Sequence, residues 1–392
     1  MDTPLNRRTW MAGTLSTVTA AAFHIRRPLL AAPPVEMGEL RVISRQSQLY
    51  HGWPTLARRA GGQLLLVCSG GRESHVCPFG YVQLMRSDDD GATWSWPRTV
   101  MDGPIDDRDA GVLETAKGTI LITTFTSLAY QPILARAEEA GNWAPERLAR
   151  WRAAHHRVDE AGRQAALGVW MIRSTDGGIT FSGRYDCQVD SPHGPIQLAD
   201  GRLVYAGKEL WHGQRRVGVC QSVDDGESWQ WLATIPTRDG DRYSDYHELH
   251  AVETADGRIV VQLRNHNKTN ARETLQCESA DGGQTWSTPH AIGVWGLPSH
   301  LLRLADDRLL MTYGYRRPPY GNQARISEDH GRTWSEPITI SDDGVGGDLG
   351  YPSTVQLTDG GLLTVWYERM AGSDKAVLRQ ARWSMESNDR VG

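Results

Sequence analysis

The stretch Cys277–Pro289, "CESADGGQTWSTP", decides how the rest of the chain is read. Its centre, "SADGGQTW" (279–286), returns as "SDDDGATW" (87–94), "STDGGITF" (174–181), "SVDDGESW" (222–229) and "SEDHGRTW" (327–334). All five fit S-x-D-x-G-x-(S/T)-(W/F). One eight-residue match is a chance event, whereas five in register mark an internal repeat. The residue types describe a turn. Asp accepts backbone N–H groups, Gly supplies positive φ, and the closing aromatic packs between strands of its own unit. Calcium is the rival, but a twelve-residue calcium loop from Asp88 needs Glu at its last position and finds Thr99.

A second signal interleaves with the first. "AGGQLLL", "AKGTILI", "ADGRLVY", "ADGRIVV", "ADDRLLM" and "TDGGLLT" each set a turn pair before an apolar run, with the turns at Gly62, Gly118, Gly201, Gly257, Asp307 and Gly360. The chain therefore holds six units of about 50 residues, each reading strand, turn, strand, loop, strand, Asp-containing turn, strand. The expected fold is all-β: a six-bladed β-propeller over residues 40–385, with four-stranded antiparallel blades. An insertion at about 127–168 in the second unit, rich in Ala, Arg, Leu and Glu, is expected to form one or two short helices that wall a pocket. The composition agrees: 41 Gly, 19 Pro and 15 Trp with only 4 Phe suit short strands and tight turns.

Charge and cysteine usage exclude several function classes. Lys+Arg 42 against Asp+Glu 47 leaves a net charge of −5, with no basic footprint for nucleic acid, so a small polar partner is expected. Five scattered cysteines without a CxxC pair signal neither a disulfide framework nor zinc, and are read as core thiols. Nothing calls for an organic cofactor or a metal. Residues 1–33 place Arg7 and Arg8 before an apolar run ending at Phe23, which resembles a twin-arginine export signal, although Arg26 and Arg27 add a second basic pair. The run is too short to span a bilayer. Export to the periplasm or beyond is expected.

In an up-and-down blade the two kinds of turn share one face, so the other face is built from the entries to each first strand and from the loops between second and third strands. The entries are "YHGWP", "IDDRDAG", "SPHGP", "DYHELH", "GLPSH" and "DLGYPS". Loops such as "SGGRESHVCPFG", "GKELWHGQRR" and "GYRRPPYGN" join them. Eight of the thirteen histidines fall on this face, which marks it as the functional centre.

The five Asp-containing boxes in a six-unit chain resemble the sialidase (neuraminidase) superfamily, whose repeats are called Asp-boxes. The resemblance implies a glycan ligand and a set of site residues. Glu248, just upstream of "VETADGR", matches the family's Glu that activates a nucleophilic Tyr. Arg264, seven residues beyond Gly257, matches an Arg of the carboxylate-binding triad; Arg316 and Arg317 in "GYRRPP" both match another. Tyr351 in "LGYPS" matches the nucleophile. A Tyr–Glu pair suits an anionic sugar, because a neutral phenol approaches a carboxylate-bearing carbon that would repel a carboxylate.

Two positions depart from the family. Gly52 in "GWP" stands where the first triad Arg is expected, and "GRESHVCPFGYVQLMRS" lacks the general-acid Asp. Arg72 and Arg108 are candidates for the missing cation. Glu73, His75 and Asp109 are candidates for the acid, and His193, Trp211, His212 and His247 for further sugar contacts. The expected activity is retaining removal of a terminal, acidic sugar. The alternatives are a lyase acting on uronate-containing glycan and a glycan-binding propeller without catalysis.

Overall fold

Each turn pair followed by an apolar run becomes a β-hairpin, and six sets of hairpins close into a ring. The computed structural model describes residues 30–211 and 213–385, so most of the export-signal segment and His212 lie outside the described residues. Six antiparallel sheets are arranged as the blades of a propeller. The innermost strands are Tyr50–Arg58, Asp106–Glu114, Ile196–Gln197, Tyr246–Glu253, Ser299–Arg303 and Leu349–Gln356. All six turn residues between first and second strands have positive φ, including the non-glycine Asp307 at 68°.

The opening stretch is a turn held by its own side chains. Ser279 Oγ donates to Asp281 Oδ1 (2.8 Å) and accepts the Gly283 N–H (2.9 Å), while the Thr285 N–H and hydroxyl donate to the two Asp281 oxygens (2.9 and 2.6 Å). The same network recurs in the box at Ser87. The closing aromatic does more than expected: it reaches the neighbouring blade. Trp94 of blade 1 donates to Gln380 of blade 6 (2.8 Å), and Trp334 of blade 5 to Gln276 of blade 4 (3.1 Å). A Trp is long enough to leave its own sheet, and its indole N–H then needs a partner. The boxes therefore latch blade to blade.

The sixth unit lacks a box, hence it has no hairpin to make an outer strand. Val35–Met37 fills the place, pairing Val35 with Met385 and Met37 with Trp383. The propeller thus starts ahead of residue 40, and the two ends of the chain close one blade.

The insertion forms three helices rather than one or two: Gln131–Ala140, Pro145–His155 and Glu160–Ala165. Gly141 in the left-handed region (φ 58°) ends the first, Pro145 opens the second, and Asp159 caps the third by accepting the Gly162 N–H. Tyr130, Leu134 and Trp151 bury against Cys77 of the blade 1 loop. All five cysteines are buried and free. Among the described residues no helix is long and apolar enough to cross a membrane.

Candidate active site

Four of the six innermost strands carry the same irregularity. Relative to its partner strand, each gains one residue: between Gly52 and Thr55, Arg108 and Gly111, His247 and Leu249, and Gly350 and Ser353. Inside each bulge one residue adopts positive φ: Trp53 (54°), Asp109 (45°), Glu248 (41°) and Tyr351 (52°). A bulge re-aims a side chain that the regular two-residue alternation would place elsewhere. Bulky residues hold this conformation only where the surrounding fold imposes it, and such strain gathers at functional sites.

Two of the re-aimed residues meet directly. The Tyr351 hydroxyl donates to Glu248 Oε1. Arg264 Nη1 donates to Glu248 Oε2 (2.6 Å) and to the Tyr351 hydroxyl (3.3 Å), and its Nε donates to His266 Nε2 (2.9 Å). Burial pushes the Glu248 carboxyl up, but the Arg264 charge and the bonds from Tyr351 and Arg264 outweigh it and hold the group down at about 2. Glu248 is therefore a carboxylate at neutral pH. Burial, with the Glu248 charge beside it, holds the Tyr351 phenol well above its ordinary range. The resting pair is a neutral phenol hydrogen-bonded to a carboxylate.

An electropositive cavity adjoins the pair. It encloses about 450 Å³, and Arg264, Arg272, Arg316, His266 and Trp295 line it with no carboxylate among the lining residues. The Arg316 guanidinium lies 5.5 Å from the Tyr351 ring centre, its Nε donating to the Leu349 carbonyl (2.9 Å). Arg317 turns away, bonding the Tyr315 hydroxyl (3.0 Å) and packing 4.2 Å from the Trp295 ring centre. Of the two arginines in "GYRRPP", Arg316 is the one beside Tyr351.

Across from Tyr351 stands a second hydrogen-bonded group. His75 Nδ1 lies 2.9 Å from Asp348 Oδ1 and 3.0 Å from the Tyr50 hydroxyl, and its ring meets Trp53 edge-on at 5.1 Å. Tyr50 and Tyr367 also donate to Asp348 (2.9 and 3.2 Å). Burial pushes the Asp348 carboxyl up, but the bonds it accepts from His75, Tyr50 and Tyr367 keep it below its usual value. The carboxylate thus fixes the ring through Nδ1 and leaves Nε2 open, with the side chain 46% exposed at the rim.

The other candidates separate by environment. Arg72 is fully buried and makes paired bonds to Asp106 (2.7 and 2.9 Å), with its guanidinium carbon 4.9 Å from the Trp53 ring centre; it supports the floor and cannot reach a ligand. Arg108 packs 4.4 Å from the same ring centre and donates to the His75 carbonyl (3.2 Å). Glu73 is taken up by Arg147, Arg150 (3.1 Å) and the Trp151 indole (3.3 Å), which excludes it as a free acid. Asp109 is buried, and burial together with the Glu248 charge raises its carboxyl to about 7. His193 meets His250 and His300 edge-on around the axis, with ring centres 5.2 and 5.0 Å apart. His247 lies 3.5 Å from the Lys208 ammonium and beside His266. Trp211 is half-buried, and its indole N–H finds no partner among the described residues.

Sequence reasoning missed Trp53, Asp348 and Asp190. The first had a legible signal, because "GWP" (52–54) repeats the Gly-aromatic-Pro of "GYP" (350–352), and both aromatics sit in equivalent bulges. Asp190 had none. It is placed by reciprocal backbone bonds with Lys208 (3.0 Å each), and burial plus the charges of Asp109 and Glu248 push its carboxyl far up.

Replacing Arg72 by Ala should destabilise the fold by roughly 3–5 kcal/mol, because it strands the buried Asp106 carboxylate. Chemical unfolding measures this, and the ligand affinity of the folded protein should stay near wild type. A large affinity change with normal stability would put Arg72 in contact with the ligand.

Fold and site together define the class: a six-bladed β-propeller of Asp-box repeats, the fold that solved sialidase structures also have. Solved structures share the fold. A Dyadobacter fermentans protein of unknown function superposes with a TM-score of 0.72 at 24% identity, over 90% of this chain and 99% of that one. A Hadza microbial sialidase gives 0.62 at 18% identity, over 86% and 66%. The NanB sialidase of Streptococcus pneumoniae gives 0.61 at 15%, over 91% and 71%. No curated protein sequence matches the chain. The chain belongs to the BNR repeat-like domain family, whose model matches residues 142–365.

Proposed function

We propose that the protein is an exported glycoside hydrolase that removes a terminal acidic sugar with retention at the anomeric carbon. The observation that carries this is the Tyr351–Glu248–Arg264 constellation beside a cavity walled by guanidiniums. Arg264 and Arg316 hold the sugar's carboxylate next to the reacting carbon. Tyr351 attacks that carbon while Glu248 Oε1 takes the phenolic proton, so a full phenolate never forms. The glycosidic C–O bond breaks, and His75 gives its proton to the leaving oxygen. In the second half the same His75, now neutral, takes a proton from water as the water displaces Tyr351, and Glu248 returns its proton to the phenol. Asp348 keeps the imidazole oriented through both steps.

The His75–Asp348 pair also suits a lyase, in which His75 would remove the C5 proton of a uronate while the arginines neutralise its carboxylate. The deciding experiment is a glycan panel of terminal sialic acids, uronates and neutral sugars, followed both by reducing-end release and by ultraviolet absorbance. Release without a new absorbance is expected. An unsaturated product would replace the hydrolase with the lyase, and binding without turnover throughout would leave a glycan-binding propeller.

A further inference from the structure

Beside the candidate active site lies a larger cleft of about 700 Å³, between the second insertion helix and blade 1. The loop Glu73–Pro78 is the shared wall: His75 points toward Trp53 and Asp348 on one side, and Glu73 lines the cleft on the other.

Three features make this a formed cavity rather than a surface irregularity. Its floor is aromatic, with Phe79 and Tyr81 among the lining residues. The Tyr81 ring lies against the backbone at Gly71, where an added Cβ would come within 1.9 Å of the ring. A side chain at 71 would displace the ring, so Gly71 lets it lie flat. The opposite wall is one face of the helix, Arg150, Ala153 and Ala154, at i, i+3 and i+4, continued by Arg157 just past the helix end at His155. The two alanines leave the space open, and Arg150 and Arg157 flank them.

The charge around the cleft favours an anion. Arg150 projects from the helix with Arg147 one turn earlier, Arg157 follows the helix end, and Lys375 enters from blade 6, its ammonium on the Glu73 carbonyl (2.7 Å). Against these cations the cleft lining offers Glu73 and Asp102. Glu73 already serves Arg147, Arg150 and the Trp151 indole, and Asp102 stands 3.7 Å from Arg157 with both side chains well exposed. Lys375 also pairs with Asp374 (3.0 Å), so the four cations face three carboxylates and one positive charge remains in excess, beside the Phe79 and Tyr81 rings on which a sugar can pack.

We propose that this cleft is an accessory subsite for an acidic oligosaccharide, holding the leaving-group side of the chain whose end enters the Tyr351 pocket. Its role in turnover rests on the hydrolase assignment above, whereas its binding does not. Phe79 and Tyr81 carry the sugar faces, and Arg150 and Arg157 pair with carboxylates or sulfates on the chain.

The test uses the full-length protein with Tyr351→Phe, so that nothing is consumed. Hexamers of galacturonate, sialic acid and chondroitin sulfate are titrated by calorimetry, with cellohexaose as the neutral control. At least one acidic hexamer should bind ten-fold or more tightly than cellohexaose. Ala153→Trp, which fills the cleft from an exposed helix position, and the double variant Arg150→Ala, Arg157→Ala should each weaken that binding at least ten-fold. With Tyr351 intact, the same variants should leave turnover of a short aryl glycoside unchanged and raise KM for the hexamer. No binding of any acidic hexamer, or binding indifferent to Ala153→Trp, overturns the proposal. Cleft-dependent binding without turnover of any substrate would overturn the hydrolase assignment and leave the cleft standing.

Discussion

Tyr351→Phe is expected to lower kcat on the true substrate by on the order of 10³-fold or more while leaving a folded protein that still binds the sugar. The phenol is the only group of the pair that can form a bond to carbon without bringing a negative charge beside the substrate's carboxylate. Removing its hydroxyl deletes one hydrogen bond to Glu248, whose other oxygen keeps the Arg264 bond at 2.6 Å. The cost to stability is then about 1.5–3 kcal/mol, the worth of a hydrogen bond to a charged group. Glu248→Gln should cut kcat by roughly 10²–10⁴, since the amide cannot accept the phenolic proton. It also removes a counter-charge from the buried Arg264, so Tyr351→Phe is the cleaner probe. Arg316→Ala should raise KM for acidic substrates far more than it lowers kcat. Steady-state kinetics beside thermal melts separate these outcomes, and a Tyr351→Phe enzyme with wild-type kcat would remove Tyr351 from the chemistry.

The second large effect is expected in acid. His193, His250 and His300 are fully buried around the axis, with the last two stacked at 4.6 Å and 17°. Their Nδ1 atoms take the Leu301 N–H (2.8 Å, His250) and the Thr354 N–H (3.5 Å, His300), which fixes them as neutral rings. Burial holds His300 near 3 and His193 and His250 well below the ordinary value. In the unfolded chain all three titrate near 6.5. As pH falls below about 6.5 the unfolded state binds protons that the folded state refuses, so each ring withdraws roughly 1.4 kcal/mol of stability per pH unit.

Other groups face the same region or titrate in the same window. Arg58 and Glu114 line the axial cavity below the rings. Asp107, Asp109 and Asp190, with raised folded values, take up protons on folding and offset part of the loss. The measurement is therefore a difference. His250→Asn keeps an acceptor for the Leu301 N–H and removes the titration. Between pH 6.5 and 4.5 it should gain about 2–3 kcal/mol relative to wild type in urea unfolding. A difference that stays flat with pH would mean that the axial histidines do not control acid stability.

Much of the fold was legible because it depends on short-range patterns. A Gly or Asp in a turn with positive φ, a Ser–Asp–Thr network spanning eight residues and the apolar runs between them each act within one hairpin. Six such turns and five such networks in one chain allow few architectures other than a propeller. The grouping of Glu248, Arg264 and Tyr351 was legible for a related reason: all three sit at fixed offsets from those turns. Even the pairing of Trp53 with Tyr351 was written in two Gly-aromatic-Pro triplets.

What the sequence determined by itself, then, was the blade, the number of blades and the face on which the candidate residues gather, since all three follow from local turns and the alternation of strands. The tertiary structure decided which side chains are free. Arg72 and Arg108 look alike in sequence, as do Glu73 and Asp109, and Arg316 and Arg317. Their fates differ because Asp106 claims Arg72, the insertion helix claims Glu73, Trp295 and Tyr315 claim Arg317, and Asp348, 273 residues away in the chain, claims His75. Burial and partners come from segments brought together only when the ring closes, and no local pattern encodes them.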